Sequence, residues 1–162
     1  MTGVQTCALP IYDPARGRRG ADCFHCHGGA LFTDYGYKNN GLDLVSLDAG
    51  RSRVSEKESD RGKFKTPSLR NVALTAPYMH DGRFASLEEV VAHYDHGVQR
   101  AAALDPNLAK HPDDGLKLTA DERRELVAFL RTLTDPKFEV APVFDRRDRA
   151  PVADWRYSSP SQ

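Results

Sequence analysis

Two cysteines and two histidines within five residues, Cys23-Phe24-His25-Cys26-His27, carry the strongest chemistry in the sequence. On a helical turn Cys23 and Cys26 lie three apart and share a face. Thiols so placed can form thioethers to the two vinyl groups of one porphyrin. His27 follows on the adjoining part of that face, where its imidazole can take an axial position on iron. Cys-x-x-Cys-His is the attachment signal for a c-type haem. A structural zinc site wants four ligands, usually as two separated pairs. The only other cysteine is Cys7, and His25 is too close to supply a second pair. A thioredoxin-like redox motif belongs beside a βαβ pattern, and none is visible. The motif predicts one covalently held haem c with His27 on its iron.

At 162 residues the chain has the length of one domain. Apolar residues make up 40% and charged residues 28%, enough for a modest core of which a porphyrin would form a large part. Lys plus Arg and Asp plus Glu number 23 each, which argues against a nucleic-acid partner. No apolar run approaches the ~20 residues needed to span a bilayer. Covalent haem attachment points to the periplasm, although no secretory signal leads the chain. The first residues, Met1-Thr2-Gly3-Val4-Gln5-Thr6-Cys7-Ala8-Leu9-Pro10-Ile11, resemble a translated sequencing-adapter peptide. On that reading Cys7 carries no chemistry, and the natural N-terminal portion lies further upstream.

The elements that must position the motif are helical. Gly28-Gly29 ends the haem turn. Residues 30–66 read as loop, with a turn at Asn39-Asn40-Gly41 and a charged run from Arg51 to Lys65 on the surface. Ser86-Leu87-Glu88-Glu89 is a capping box. Leu87, Val90, Val91 and Tyr94 follow it as one buried stripe, ended by Gly97. Thr119-Ala120-Asp121-Glu122 is a second box, with a stripe of Leu126, Phe129, Leu130 and Leu133 and Pro136 beyond its end. The spacing predicts an all-α haem domain with long loops over residues 20–135. Its last helix looks like the one that closes many cytochrome c domains over the haem turn, so the domain is read as cytochrome c-like. Residues 1–19 form a lead-in and 136–162 a Pro- and Arg-rich extension.

Iron held by His27 has one more axial position. Met79, His80, His93 and Tyr94 are candidates, besides His96 and His111 in more polar settings. Met79 is the only methionine other than Met1, and His/Met ligation is common in electron-carrying cytochromes c. Helix periodicity favours Tyr94, which shares the face of Leu87, Val90 and Val91, whereas His93 is turned about 100° away. On the residues alone, Tyr94 reads equally well as a core tyrosine with its hydroxyl bonded to a carbonyl.

A resemblance shifts that balance. Cys23–His27 with Gly28-Gly29-Ala30-Leu31-Phe32-Thr33-Asp34 and Asn40-Gly41-Leu42 is similar to the C-terminal haem domain of the bacterial di-haem cytochrome c peroxidase and MauG family. So are Phe64-Lys65-Thr66-Pro67-Ser68-Leu69-Arg70-Asn71-Val72 and Thr75-Ala76-Pro77-Tyr78-Met79-His80-Asp81-Gly82-Arg83-Phe84. The similarity runs from about Gly20 to Leu133. In ordinary members of the peroxidase branch a methionine ligand stands fourteen residues after the histidine of the His-Asp-Gly block. Here that position is Tyr94, counted from His80, and in the MauG branch it is a ligating tyrosine. The resemblance therefore implies His27 and Tyr94 on the iron, with Met79 as the alternative to Tyr94. It also implies Arg70 on a haem propionate, and the backbone carbonyls of Thr75 and Pro77 on a calcium ion shared with a second haem domain. His80 and Asp81 match positions near the haem and are read as structural. Phenolate ligation at neutral pH asks for roughly 4 kcal/mol of selective stabilisation, given a free pKa of about 10. A ferric ion can supply it, and a hard anionic oxygen predicts a low-potential haem.

By the same resemblance, the chain would be the electron-transfer half of a peroxidase that reduces hydrogen peroxide, with no catalytic residue of its own. A second, peroxide-reactive haem is expected in a missing N-terminal domain. An electron-donor protein or small cytochrome is the expected partner. The competing expectation is a self-contained mono-haem cytochrome c that carries single electrons.

Overall fold

The computed structural model describes residues 20–113 and 115–137. The adapter-like segment with Cys7, and the extension from residue 138 onward, lie outside the described residues. Cys23–His25 form a single 3₁₀ turn. Two antiparallel two-residue strands follow, β1 (Tyr37–Lys38) and β2 (Phe64–Lys65), with Tyr37 opposite Lys65. Between them lie α1 (Ser52–Ser55) and a 3₁₀ turn at Glu58–Asp60. After a further 3₁₀ turn at Val72–Leu74 come α2 (Leu87–Ala92), α3 (Pro106–Ala109) and α4 (Ala120–Thr132). The helical class holds, with most of the chain in loops and turns.

Both capping boxes form as the sequence predicts. Ser86 and Thr119 each accept from the backbone N–H three residues on, and Glu89 and Glu122 each reach back to the cap. The stripes then meet: Leu87 and Val91 of α2 pack with Leu126, Val127 and Leu130 of α4. Ala21, Leu116 and Leu118 complete this buried cluster, with Phe129 and Leu133 at its edge. Helix α4 thus lies over the residues just before the haem turn, as its stripe implied.

Two expectations change. Residues 30–66 are not plain loop. The charged run holds α1, a 3₁₀ turn and β2, because its charges pair with one another: Arg51 and Lys63 both reach Asp60, at 3.1 and 3.2 Å, and Arg61 reaches Glu58 at 2.7 Å. The helix expected to run to Gly97 ends at Ala92, and the backbone widens into a π-turn over His93–Gly97. Asp95 inside that turn is bonded to residues 116–118 rather than to its own helix, which draws the ladder open. The turn at Asn39-Asn40-Gly41 forms as read, with Asn39 Oδ1 accepting from Gly41 N–H at 2.8 Å. Gly41 has φ 66°, and a Cβ there would lie 2.6 Å from the Gln99 carbonyl oxygen, so only glycine fits.

Candidate functional site

The haem turn is closed by backbone bonds from His27 N–H to Cys23 O at 2.8 Å and from Asp34 N–H to Cys26 O at 2.8 Å. Residues 68–70 latch it from outside. Ser68 Oγ donates to Leu31 O at 2.6 Å, and the Arg70 guanidinium donates two bonds to Ala30 O, at 3.0 and 2.7 Å. Arg70 is exposed, and in this position it clamps the loop that follows the motif.

His27 Nδ1–H donates to Phe32 O at 3.0 Å. The Pro67 carbonyl also bonds the ring; with the proton on Nδ1, Nε2 is the nitrogen that can take a metal. Burial holds the His27 pKa below its usual value, so the ring is neutral and ready to coordinate. Burial also raises the Cys23 thiol to about 12 and the Cys26 thiol to about 11, with neighbouring carboxylates adding to the effect. Cys23 Sγ rests on Ala21 O at 3.5 Å.

Opposite the turn is an apolar, partly open cleft enclosing about 670 Å³ of space, solvent at its mouth included. It is lined by Cys23, Phe24, His27 and Phe32 of the haem turn and its loop, by Val90, Val91 and Tyr94, and by Leu126, Phe129 and Leu130 of α4. The Cys23 thiol, the His27 imidazole and the Tyr94 phenol therefore line one greasy slot, while Cys26, three residues on from Cys23, is in the same turn but outside the lining. That donor set fits a covalently attached porphyrin with two axial ligands.

Tyr94 is pushed up to about 12, mainly by burial, with both thiols adding to it. The Asn40 side chain works the other way, hydrogen-bonding the phenol and favouring its anion. The same amide donates to Met79 Sδ at 3.3 Å. Met79 itself is not among the residues lining the cleft. Of the two candidates for the sixth site, Tyr94 is in the cleft with His27, and Met79 is separated from it by Asn40.

The remaining histidines point elsewhere. His93 is buried, and its Nε2–H donates to Asn40 O at 3.1 Å. His80 stacks on Phe64 at 3.7 Å between ring centres. His96 is exposed beside Asp95. His111 lies buried, 3.3 Å from Asp22, a carboxylate that also faces His25 at 3.2 Å and Lys110 at 2.5 Å. Asp81 bonds Arg83, which in turn forks onto Asp43 through two bonds of 2.9 Å. Thr75 and Pro77 are exposed, on either side of Ala76, whose bond to Pro77 is cis. Two carbonyls fall well short of the six to eight oxygens calcium takes, so the described residues alone do not complete a calcium site.

Sequence reasoning missed the contacts of Asn40, read as a turn residue and within a block of the resemblance, and of Asp95, hidden among polar neighbours. Neither sits on a periodic face, so only their long-range contacts reveal them.

No helix among the described residues is long and apolar enough to cross a membrane. No protein-family model matches the chain. Among known proteins it is similar to the methylamine utilization protein MauG of Methylorubrum extorquens, 38% identical over 115 residues, covering 70% of this chain and 31% of that one. The cytochrome c551 peroxidase of Nitrosomonas europaea is 34% identical over 128 residues, covering 75% of this chain and 34% of the relative. Of solved structures, a MauG-like protein associated with microbial copper homeostasis aligns with a TM-score of 0.63 and 36% identity, over 71% of this chain and 43% of that one. A variant of the di-haem peroxidase BthA from Burkholderia thailandensis aligns at 0.56 with 26% identity, over 70% and 38%. The chain spans about a third of the length of the curated relatives it matches.

Proposed function

Over about 70% of its length this chain belongs to the MauG and di-haem cytochrome c peroxidase family, and from that premise we propose that it is the electron-transfer haem c domain of such an enzyme. The observation that carries the reading is the shared cleft, an apolar slot lined by His27, Tyr94 and Cys23 together. Cys23 and Cys26 would hold the porphyrin through thioethers, and His27 Nε2 and the Tyr94 oxygen would ligate its iron. A haem c so bound supplies one-electron chemistry.

The chain's own residues do the rest. The Phe32 carbonyl keeps His27 in the ligating tautomer. Leu126, Phe129 and Leu130 keep water out of the slot. Asn40 donates toward the Tyr94 oxygen, which burial otherwise keeps protonated. Taking that phenol from about 12 to below neutral asks for about 7 kcal/mol, more than the roughly 4 kcal/mol of an exposed tyrosine. Ligation through Tyr94 thus demands a strongly charged ferric ion and disfavours the ferrous state. Arg70 is taken to meet a propionate beside the loop it clamps. Any calcium at the Thr75 and Pro77 carbonyls would draw its other oxygens from a domain outside this chain. Hydrogen peroxide as final oxidant, a peroxide-reactive haem in an upstream domain, a small electron-donor protein and a periplasmic setting complete the reading.

The test is the matured full chain. Tyr94→Phe should keep the covalent haem, lose the low-spin ferric spectrum and raise the reduction potential. A parental spectrum in Tyr94→Phe, with a changed one in Met79→Leu, would transfer the sixth site to Met79. The single Cys-x-x-Cys-His favours a second reading, the self-contained one-electron carrier. Upstream gene sequence separates the two. A second haem motif within about 200 residues, one domain's length, supports the peroxidase half, and a signal peptide directly before Gly20 supports the carrier.

A further inference from the structure

We infer that Asp95 is a positioning residue, fixing the π-turn that presents the Tyr94 oxygen to the haem slot; the inference rests on Tyr94 being the sixth ligand. Asp95 is 2% exposed and follows Tyr94 directly. Every oxygen it carries is engaged. Oδ1 accepts from Leu118 N–H at 2.9 Å, and Oδ2 accepts from Arg123 at 2.8 Å. Oδ2 also faces His96 Nδ1 at 3.1 Å, and the backbone carbonyl accepts from Leu116 N–H at 2.7 Å. The residue is thereby pinned to the strap 115–118 and to the first turn of α4, some twenty to thirty positions away in sequence.

The strap is seated with no slack. Gly115 has φ 85°, and a Cβ there would fall 1.9 Å from the Asp95 carbonyl oxygen. Leu116 and Leu118, on either side of the pinned backbone, belong to the buried cluster and line the slot. A π-turn is rare and occurs mostly as a single-turn bulge at a helix, often at a functional site. Here the turn carries a buried carboxylate with a cationic partner, a strong and directional form of hydrogen bond. Shifting Asp95 moves the neighbouring phenol, and a misplaced oxygen is no longer a ligand.

The experiment uses the full chain with haem attached. Asp95→Asn keeps the shape but removes the charge facing Arg123. Arg123→Gln removes the same pairing, together with the 3.2 Å bond from Arg123 to Leu118 O, without changing a residue of the turn, and Arg123→Lys restores a cation. Asp95→Asn and Arg123→Gln should keep parental haem content and helix signal. In both, the low-spin to high-spin ratio of the ferric protein should fall about ten-fold, the effect of one lost charge-assisted bond, and the reduction potential should rise. Arg123→Lys should recover most of the ratio, and Asp95→Asn should add nothing in a Tyr94→Phe background. If Asp95→Asn does not fold, Arg123→Gln carries the test. Parental spectra and potential in both variants, beside an altered Tyr94→Phe, would overturn the role of Asp95 alone. A parental Tyr94→Phe spectrum would overturn the ligand assignment, and this inference with it.

Discussion

The two walls of the slot are held in different ways. The wall formed by the haem turn takes its inner geometry from bonds within Cys23–Asp34, such as His27 N–H to Cys23 O and the His27–Phe32 contact, and is latched from outside by Ser68 and Arg70. The wall bearing Tyr94 takes its shape from Asn40, from the strap 116–118 and from Arg123, all distant in sequence. A motif whose groups must meet one porphyrin can be arranged by local backbone geometry. A lone ligand on a helix end depends on tertiary contacts, so the second wall is the more easily displaced.

Breaking the first wall has the largest expected effect. Cys23→Ala with Cys26→Ala should abolish covalent haem, read as loss of the Soret band from the polypeptide after denaturing extraction. Haem surviving extraction would place its attachment elsewhere. Next comes the core behind the second wall. Leu126 is 6% exposed and lines the slot. Leu126→Ala should cost about 2–5 kcal/mol in urea unfolding. The Tyr94-dependent spectrum should also loosen, while His27 stays bound. A cost under about 1 kcal/mol would mean that the slot collapses to fill the gap.

The same contrast explains what could be read from the sequence. Cys23, Cys26 and His27 were legible because spacing alone brings them together, and the boxes at Ser86 and Thr119 because capping is local. Leu126 and Leu130 were legible by periodicity; Val127, also buried, falls off the expected stripe and was missed. Tyr94 lay on the apolar face of the helix expected to run to Gly97, yet periodicity alone could not separate a ligand from a core tyrosine. The π-turn was invisible, since its cause is Asp95 reaching residues 116–118. So were α1 and the short β1–β2 ribbon, which arise from pairing across a charged run with no hydrophobic period.

The thiols give an intermediate test. With Cys23 near 12 and Cys26 near 11, haem-free protein at neutral pH holds roughly a thousand-fold less thiolate at Cys23 and a hundred-fold less at Cys26 than a cysteine at the reference value of 9.0. Alkylation by iodoacetamide should be slow at pH 7 and rise about ten-fold per pH unit, Cys26 ahead of Cys23. The sign for stability follows, because the folded chain holds these protons more tightly than the unfolded one. That contribution is complete below about pH 9 and fades as pH rises through 11 to 12. Fast alkylation at neutral pH would mean that the turn is open in the absence of haem.

The smallest effects compare the two capping boxes. Ser86→Ala and Thr119→Ala each remove a hydroxyl acceptor at a helix start, a change that costs about 1 kcal/mol. The consequences should differ. Helix α2 is only Leu87–Ala92 and runs straight into the π-turn, so loosening its start reaches Tyr94. Helix α4 is 13 residues long and anchored by three buried side chains, which should absorb the loss. Acid offers the same lever without mutation. Backbone N–H groups of Ala85 and Ser86 hold the Glu89 carboxyl below its usual range. Its contribution is present above the unfolded value near 4.5 and is lost as pH falls below it. Ser86→Ala should therefore increase the high-spin ferric fraction and lessen its dependence on acid, with Thr119→Ala leaving both unchanged. Equal spectral responses from the two caps would mean that Tyr94 is held by the fold as a whole, and that its wall is no more fragile than the other.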